Sequence, residues 1–276
     1  MWENDTFYQI PRILTVHSIH TAFHIAHDEH FSFEGEMHNF WELVFISEGK
    51  ASIAKDNRIF NLGSGDIAFH RPMEFHRLLS NGSPFRVLVI SFAADGEILE
   101  RLAEGVFTLE LAQQNALMAL LRDIEDAFTK DGIVLSSHGE FPASVQAVAL
   151  HLELFLLDIL KLDGLEKKAD KTRSARDFSR VVEIMNQHIG ENVSVPELAR
   201  LANLSVSNLK KIFQKYAGTG VSKHFTSLKI IRATQLLESG LTVSEVSEQL
   251  GFSSQNYFSY VFRRETGRLP KTFKRL

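Results

Sequence analysis

Apolar positions along the chain follow three spacings in succession, and each predicts a different kind of element. Between about residues 10 and 92 they fall in short runs rich in β-branched and aromatic residues, at 41–46, 51–54, 58–60, 66–69 and 85–92. Turn-forming clusters separate these runs: Glu48-Gly49-Lys50, Gly63-Ser64-Gly65 and Asn81-Gly82-Ser83-Pro84. Many short strands at close spacing predict an antiparallel β-barrel or sandwich. From about Leu109 the period lengthens to about 3.6 residues. Leu117, Leu120, Leu121, Ile124 and Phe128 then make one helical stripe. After a break over 129–141, Val145, Val148, Leu152, Phe155, Ile159 and Leu162 recur at alternating intervals of three and four, a heptad seam. Leu150, Leu154 and Leu157 add a second apolar face, so this helix is expected to pack one face on its own domain and offer the other to a second copy. The seam itself is taken as the dimer contact. Residues 163–176 are polar and predict a linker.

Past the linker one pattern occurs twice. Ser194 and Thr242 each stand three residues before a glutamate, Glu197 and Glu245, the spacing of a helix N-cap and its capping box. Each short helix is followed by a turn, Asn203-Leu204 and Gly251-Phe252, then by a new cap, Ser205 and Ser254, and an amphipathic run. Two capped helices joined by a tight turn form a helix-turn-helix, and this chain predicts two of them. Between the copies a run from about Ser222 to Ser239 predicts a rod of roughly 27 Å at about 1.5 Å per residue.

Charge sharpens that picture. The whole chain of 276 residues carries a net charge of −4, but from Lys171 onward it has 17 Lys and Arg against 8 Asp and Glu, and before it 13 against 26. A basic double helix-turn-helix suits double-stranded DNA. Gly251-Phe252-Ser253-Ser254-Gln255-Asn256-Tyr257-Phe258, then Phe262-Arg263-Arg264, Gly267 and Pro270, resembles the signature of the AraC/XylS family of bacterial transcription regulators. Leu198-Ala199, Leu204-Ser205, Leu209, Phe213 and Gly218 fit the first copy; Ser247 and Phe273 depart from the usual alanine and tyrosine. The resemblance implies that the second helix of each copy enters the major groove. Ser207, Lys210 and Lys211 on the first, and Gln255, Asn256, Ser259 and Tyr260 on the second, are then expected to read bases; Tyr257 is grouped with the core side. Lysine suits guanine, and Asn or Gln suits adenine. The amides following Ser205 and Ser254, with Arg263, Arg264 and Lys271, are expected to hold phosphates.

The strand region resembles a cupin barrel, the sensor fold of many relatives, through His38, Glu42 and Gly49, then Gly65-Asp66, Pro72 and His76. Period-two alternation puts His38, Phe40, Glu42, Val44 and Ile46 on one face. His38, Glu42 and His76 are therefore candidates for binding a small-molecule effector, and the resemblance adds Trp41, on which a sugar could stack. His38, Glu42 and His76 are chemically acceptable metal ligands, but Glu36 stands where the cupin pattern has another histidine, and no metal or other cofactor is assigned. His17, His20, His24, His27 and His30 are irregularly spaced and are read as surface or pocket-lining residues.

Composition adds exclusions. With 44% hydrophobic and 23% charged residues the chain is that of an ordinary globular protein. It has no cysteine, which removes disulfides and thiolate metal sites and suits a reducing cytoplasm. The acidic first residues are not those of a signal peptide, and no run is long and apolar enough to span a membrane. The expected protein is α+β: an N-terminal antiparallel cupin-like barrel with a helical dimerisation segment (1–162), a linker (163–176) and an all-α double helix-turn-helix domain (177–276). It is expected to be a cytoplasmic, homodimeric, effector-controlled transcription regulator, contacting RNA polymerase if an activator, and not an enzyme. The alternative is a metal-dependent cupin enzyme fused to a DNA-targeting domain.

Overall fold

The computed structural model describes residues 10–33, 35–55, 58–131, 134–137, 142–162 and 172–273. The N-terminal part is one antiparallel sheet. Its strands are β1 (Thr15–His27), β2 (Trp41–Lys55), β3 (Arg58–Gly63), β4 (Asp66–His70), β5 (His76–Asp95), β6 (Val106–Thr108), β7 (Phe128–Asp131) and β8 (Val134–Ser137). They run in the order β6-β4-β2-β5-β1-β8-β7, with β3 also on β2. Two of the expected turns lie inside strands instead of ending them. Glu48-Gly49-Lys50 falls within β2 and Asn81-Gly82-Ser83-Pro84 within β5, where the paired register shifts between Ile46 and Glu48 and again between Gly49 and Ala51. Gly49 has φ 78°, and a Cβ there would come 2.3 Å from the Pro84 carbonyl oxygen. These polar, glycine-containing clusters bend two long strands together.

Alternation along β2 gives the sheet two apolar faces. Leu43 and Phe45 join Phe69, Leu88 and Phe92 against helices α1 (Ile98–Ala103), α2 (Leu111–Ala127) and α3 (Pro142–Ile159). Val44 and Ile46 pack with Ile53, Phe60, Val87 and Val89 on the opposite face. In α2 the buried positions are Leu117, Leu120, Leu121, Ile124 and Ala127; the first four are the stripe read from the sequence, whereas Phe128 is only partly buried and opens β7. In α3 the outcome differs from expectation. Val148, Leu152, Phe155 and Ile159 are buried in the chain's own helix-side core, so the heptad seam is internal. Its second face carries the exposure: Leu154 is 64% and Leu150 43% exposed.

The C-terminal part is helical. It comprises α4 (Arg173–Gln187), α5 (Val195–Leu201), α6 (Val206–Tyr216), α7 (Val221–Glu238), α8 (Val243–Gln249), α9 (Gln255–Thr266) and a closing 3-10 turn, Pro270–Phe273. Helix α4 begins inside the stretch read as linker; 163–171 lie outside the described residues. The caps are where the sequence put them. Ser194 accepts from Glu197 N, Ser205 from Asn208 N and Ser254 from Tyr257 N, while Thr242 and Glu245 complete a reciprocal capping box. Each such cap contributes about 1 kcal/mol. The two turns repeat each other in detail. Asn203 and Gly251 both take left-handed backbone (φ 52° and 66°). Leu204 N then donates to Ala199 O and Phe252 N to Ser247 O.

Helix α7 joins the copies and is buried along its length. Its first half, Val221, Phe225 and Leu228, packs with α4–α6; its second half, Ile230, Ala233, Leu236 and Leu237, packs with α8 and α9. Between the halves the buried Lys229 ammonium donates to Glu191 O (2.9 Å) and Leu250 O (2.6 Å), tying both copies to one rod. No helix among the described residues is long and apolar enough to cross a membrane.

Candidate DNA interface and sheet-domain pocket

The two second helices, α6 and α9, are each amphipathic for a plain reason: every third or fourth residue is taken by the core. Leu209, Ile212, Phe213 and Tyr216 are buried on α6, and Phe258, Val261 and Phe262 on α9. What remains faces outward. Ser207, Lys210 and Lys211 are exposed on α6; Gln255, Asn256 and Tyr260 are exposed on α9, and Ser259 is half-buried. Two further exposed residues on these faces were not among those expected. Asn208 follows Ser207, and Tyr257, grouped with the core from sequence, is 53% exposed. Four aromatics, Tyr257, Phe258, Tyr260 and Phe262, fall within six residues of a helix whose core takes only Phe258 and Phe262, so sequence alone does not place Tyr257.

The cations differ in how committed they are. Arg263 and Lys271 are exposed. Arg264 is exposed too, but its Nε and Nη2 donate to Glu265 Oε1 at 2.8 and 2.6 Å, so part of its charge is already matched. Ser205 and Ser254 are occupied by capping, leaving the free amides of the first turns of α6 and α9 as the anion-facing groups.

In the sheet domain a cavity of about 280 Å³ opens on the face opposite the helices. Its walls are apolar, including Phe23, Phe31, Phe40, Val44, Val87 and Val89, and its polar end holds Glu36, Glu42, His70, His76 and Ser91. Trp41 is not in it. One residue out of phase with Glu42, it points to the other face and is buried in the helix-side core, which is what a two-residue period requires. His38 sits just behind the lining, stacked on Phe40 with ring centroids 3.9 Å apart.

At the polar end four side chains converge, with one ligand atom from each of Glu36, His38, Glu42 and His76 within 4.8 Å of the others. His76 Nε2 lies 3.3 Å from Glu42 Oε1 and 3.8 Å from Glu36 Oε1, and His38 Nε2 lies 3.7 Å from Glu42 Oε2. Burial alone would push the Glu42 carboxyl up, but the His38 and His76 rings hold it well below the usual range. Burial lowers the His76 imidazole; Glu36 and Glu42 outweigh it and bring it up to about 10. Ser91 Oγ donates to Glu42 Oε2 at 2.9 Å, and Thr21 Oγ1 donates to Ser91 at 2.7 Å. Glu36 was set aside from the sequence as a departure. The fold brings it in through an isolated bridge, Glu36 N to His76 O (3.0 Å) and His76 N to Glu36 O (3.1 Å). Of the scattered histidines, His27 lines the pocket wall and His17 and His30 are exposed, and they form no joint site among the described residues.

Arg77, next to His76, faces the helical part. Its Nη1 donates to the backbone carbonyls of Gln214 (3.0 Å) and Lys215 at the end of α6, and its Nη2 to Ser32 Oγ at 2.7 Å. Nothing in the local sequence marks this long-range contact.

Residues 18–155 match the family model of the AraC-like ligand-binding domain, and residues 198–276 match a helix-turn-helix domain model. The HTH-type transcriptional activator RhaS of Yersinia pestis (strain Pestoides F) is 23% identical over 253 residues, 88% of this chain and 89% of that one. Among solved structures, ToxT of Vibrio cholerae O395 is 15% identical, with 92% of this chain and 95% of that chain covered and a TM-score of 0.38. An AraC-type DNA-binding regulator from Chromobacterium violaceum is 29% identical over 36% of this chain and 90% of that one, with a TM-score of 0.35.

Proposed function

The chain belongs to the AraC family of DNA-binding transcriptional regulators, with a ligand-binding domain ahead of its helix-turn-helix domain, and from that premise we propose a sequence-specific regulator whose DNA affinity is set by a small molecule held in the sheet-domain pocket. The observation that carries the reading is the pair of second helices, α6 and α9, fixed to one rod with their polar faces exposed. Ser207, Lys210, Lys211, Gln255, Asn256, Ser259 and Tyr260 read base edges in two major-groove segments, and Asn208 and Tyr257 extend those faces. Arg263, Arg264, Lys271 and the amides after Ser205 and Ser254 hold the backbone and set the register.

The division into a sensing part up to residue 162, a linker and a DNA-binding part is kept, with the latter starting at α4. The effector meets Glu42 and His76 at the polar end of the pocket, with His38 behind them against Phe40 and Glu42. Its body is apolar or aromatic: a sugar would bring many hydroxyls to walls that offer few partners. An effector acts by binding one disposition of the two parts better than another, and Arg77 stands where the two meet. Two copies pair through Leu150 and Leu154 on the outer face of α3. The name of the relative RhaS supports activation, hence a contact with RNA polymerase, and the work of a cytoplasmic regulator, not an enzyme.

The test is selection of binding sites from random duplexes by the full chain, followed by titration at several salt concentrations. A defined two-part consensus whose affinity falls steeply with salt is expected. No binding even at low salt would remove the reading.

A further inference from the structure

With the sheet-domain pocket taken as the effector site, its polar end selects the head group of what it holds. His76 is buried and the His38 side chain nearly so. Each Nδ1 lies against a backbone carbonyl, Phe40 O at 3.0 Å for His38 and Glu74 O at 3.1 Å for His76. A carbonyl only accepts, so each Nδ1 carries the proton, and a neutral ring turns a bare lone pair at Nε2 towards Glu42. Neither Nε2 has a hydrogen-bond partner among the described residues. Glu36 and Glu42 only accept as carboxylates, and the Ser91 hydroxyl already donates to Glu42 Oε2 at 2.9 Å. When the His76 ring is charged, two negative charges still stand against one positive. This end is rich in acceptors and short of a cationic donor.

An anion finds no counter-charge there. Arg77 is the only lysine or arginine among the described lining residues, and its guanidinium is committed elsewhere. Its Nε donates to Phe33 O at 2.5 Å, its Nη1 to Gln214 O and Lys215 O, and its Nη2 to Ser32 Oγ. A carboxylate head would stand uncompensated against Glu36 and Glu42 once water is displaced, which is costly. A cation is served from both ends of the cavity. The carboxylates neutralise it, and Phe23, Phe31, Phe33 and Phe40 supply aromatic rings, whose faces attract positive charge. The volume of about 280 Å³ lies at the small end of ligand pockets and suits a single ring or a short chain.

We propose that the ligand of this pocket is a small organic amine, bound as its ammonium, with an apolar or aromatic body. The head donates to Glu36 and Glu42, and the body lies along Phe23, Phe31, Val87 and Val89. Glu36 is the residue that sets the charge preference: Glu42 is shared with His76, His38 and Ser91, whereas the Glu36 side chain is half-exposed at the rim and lies 3.8 Å from His76 Nε2. The same end discriminates against acids by repulsion and against sugars through the walls, so selectivity comes from what it rejects as much as from what it holds. This assignment rests on the effector reading of the pocket, and DNA affinity is measured beside ligand affinity so that the two can fail separately.

The full chain is titrated at neutral pH by calorimetry, with thermal shift alongside, using two matched series: phenethylamine, phenethyl alcohol and hydrocinnamate, then hexylamine, hexanol and hexanoate. At least one amine is expected to bind at submillimolar affinity or better, at least tenfold tighter than its alcohol, with its acid not bound. Glu36→Gln, at a half-exposed position where folding is not at stake, should weaken the amine by at least fivefold and leave the alcohol unchanged. A merely structural role for Glu36 would move both alike. An alcohol or acid bound as tightly as its amine, no amine bound at millimolar concentration, or a Glu36→Gln chain that binds amine like the parent would overturn the assignment. An amine that binds as expected without changing affinity for the selected DNA site would uphold the head group and remove effector control. DNA affinity that answers to an acid or an alcohol instead would uphold effector control and sink the amine.

Discussion

His224 gives the sharpest test of the packing described here. It lies on α7 where Phe75 of the sheet domain meets Phe178 and Phe213, with ring centroids 5.0, 5.9 and 5.3 Å away, and neither ring nitrogen has a partner among the described residues. Burial pushes its imidazole down from 6.5 to about 4, which is worth about 3 kcal/mol in favour of the neutral form. The sign follows from where protons bind. Below about pH 6.5 the unfolded chain protonates this histidine and the folded chain does not, so stability falls with pH until about pH 4, where the folded form titrates as well. Between pH 7 and pH 5 the loss from this one residue is about 2 kcal/mol. Leucine has nearly the same volume and no proton to gain. His224→Leu is therefore expected to be at least as stable as the parent at pH 7, and its advantage should widen by about 2 kcal/mol by pH 5. Urea unfolding followed by circular dichroism at pH 7, 6 and 5 measures this difference directly. Parallel stability curves for the two proteins would mean that His224 is solvated or hydrogen-bonded, and the junction is not packed as described.

Lys210→Ala or Asn256→Ala should cost about 1–3 kcal/mol at the preferred site and relax the choice at particular base pairs. Arg263→Ala should instead weaken all sequences alike and lower the salt slope by about one; Arg264→Ala should lower it by less, because Glu265 already matches part of that charge, and site selection with salt titration separates these cases. Leu154→Glu should give a folded monomer by sedimentation, whereas Leu152→Glu, in the core, should fail to fold; a dimeric Leu154→Glu chain would move the interface elsewhere. Gly251→Ala combines φ +66° with a Cβ 2.3 Å from Gly190 O, so it should destabilise by well over the roughly 1 kcal/mol of the backbone effect alone, whereas Gly82→Ala, with nothing within 4 Å, should show only that effect in thermal melts.

The helical half was legible from sequence because its determinants are local. A cap and its glutamate lie three residues apart, and the core positions of α6 and α9 recur within a turn or two, so caps, turns and outward faces follow from a short window. The sheet half obeys longer rules. The clusters at residues 48–50 and 81–84 carry turn chemistry, yet they serve as matched bends in β2 and β5, which only the pairing between the strands reveals. Trp41 was open to correction from sequence, since alternation with Glu42 already sends it to the other face. Glu36 was not: it reaches the pocket through a single bridge to His76, forty residues on. Nor was the burial of the α3 seam, because a three–four spacing describes an apolar stripe equally well whether a second copy or the chain's own sheet covers it.

The double anchor of Lys229 has a mechanical consequence for any duplex bound. With α7 packed against both copies and its ammonium fastened to the chain on either side, α6 and α9 cannot slide apart or rotate independently at small cost. A site whose two segments are not in register with them must therefore be brought into register by the DNA itself. If α6 and α9 read two grooves as proposed, the strain then falls on the base pairs between them, and their identity is selected by how cheaply they bend or twist. A stiff pair of reading heads turns the spacer into part of the code: substitutions there should alter affinity in the order of their flexibility, with steps such as TA and CA favoured over stiff A-tracts.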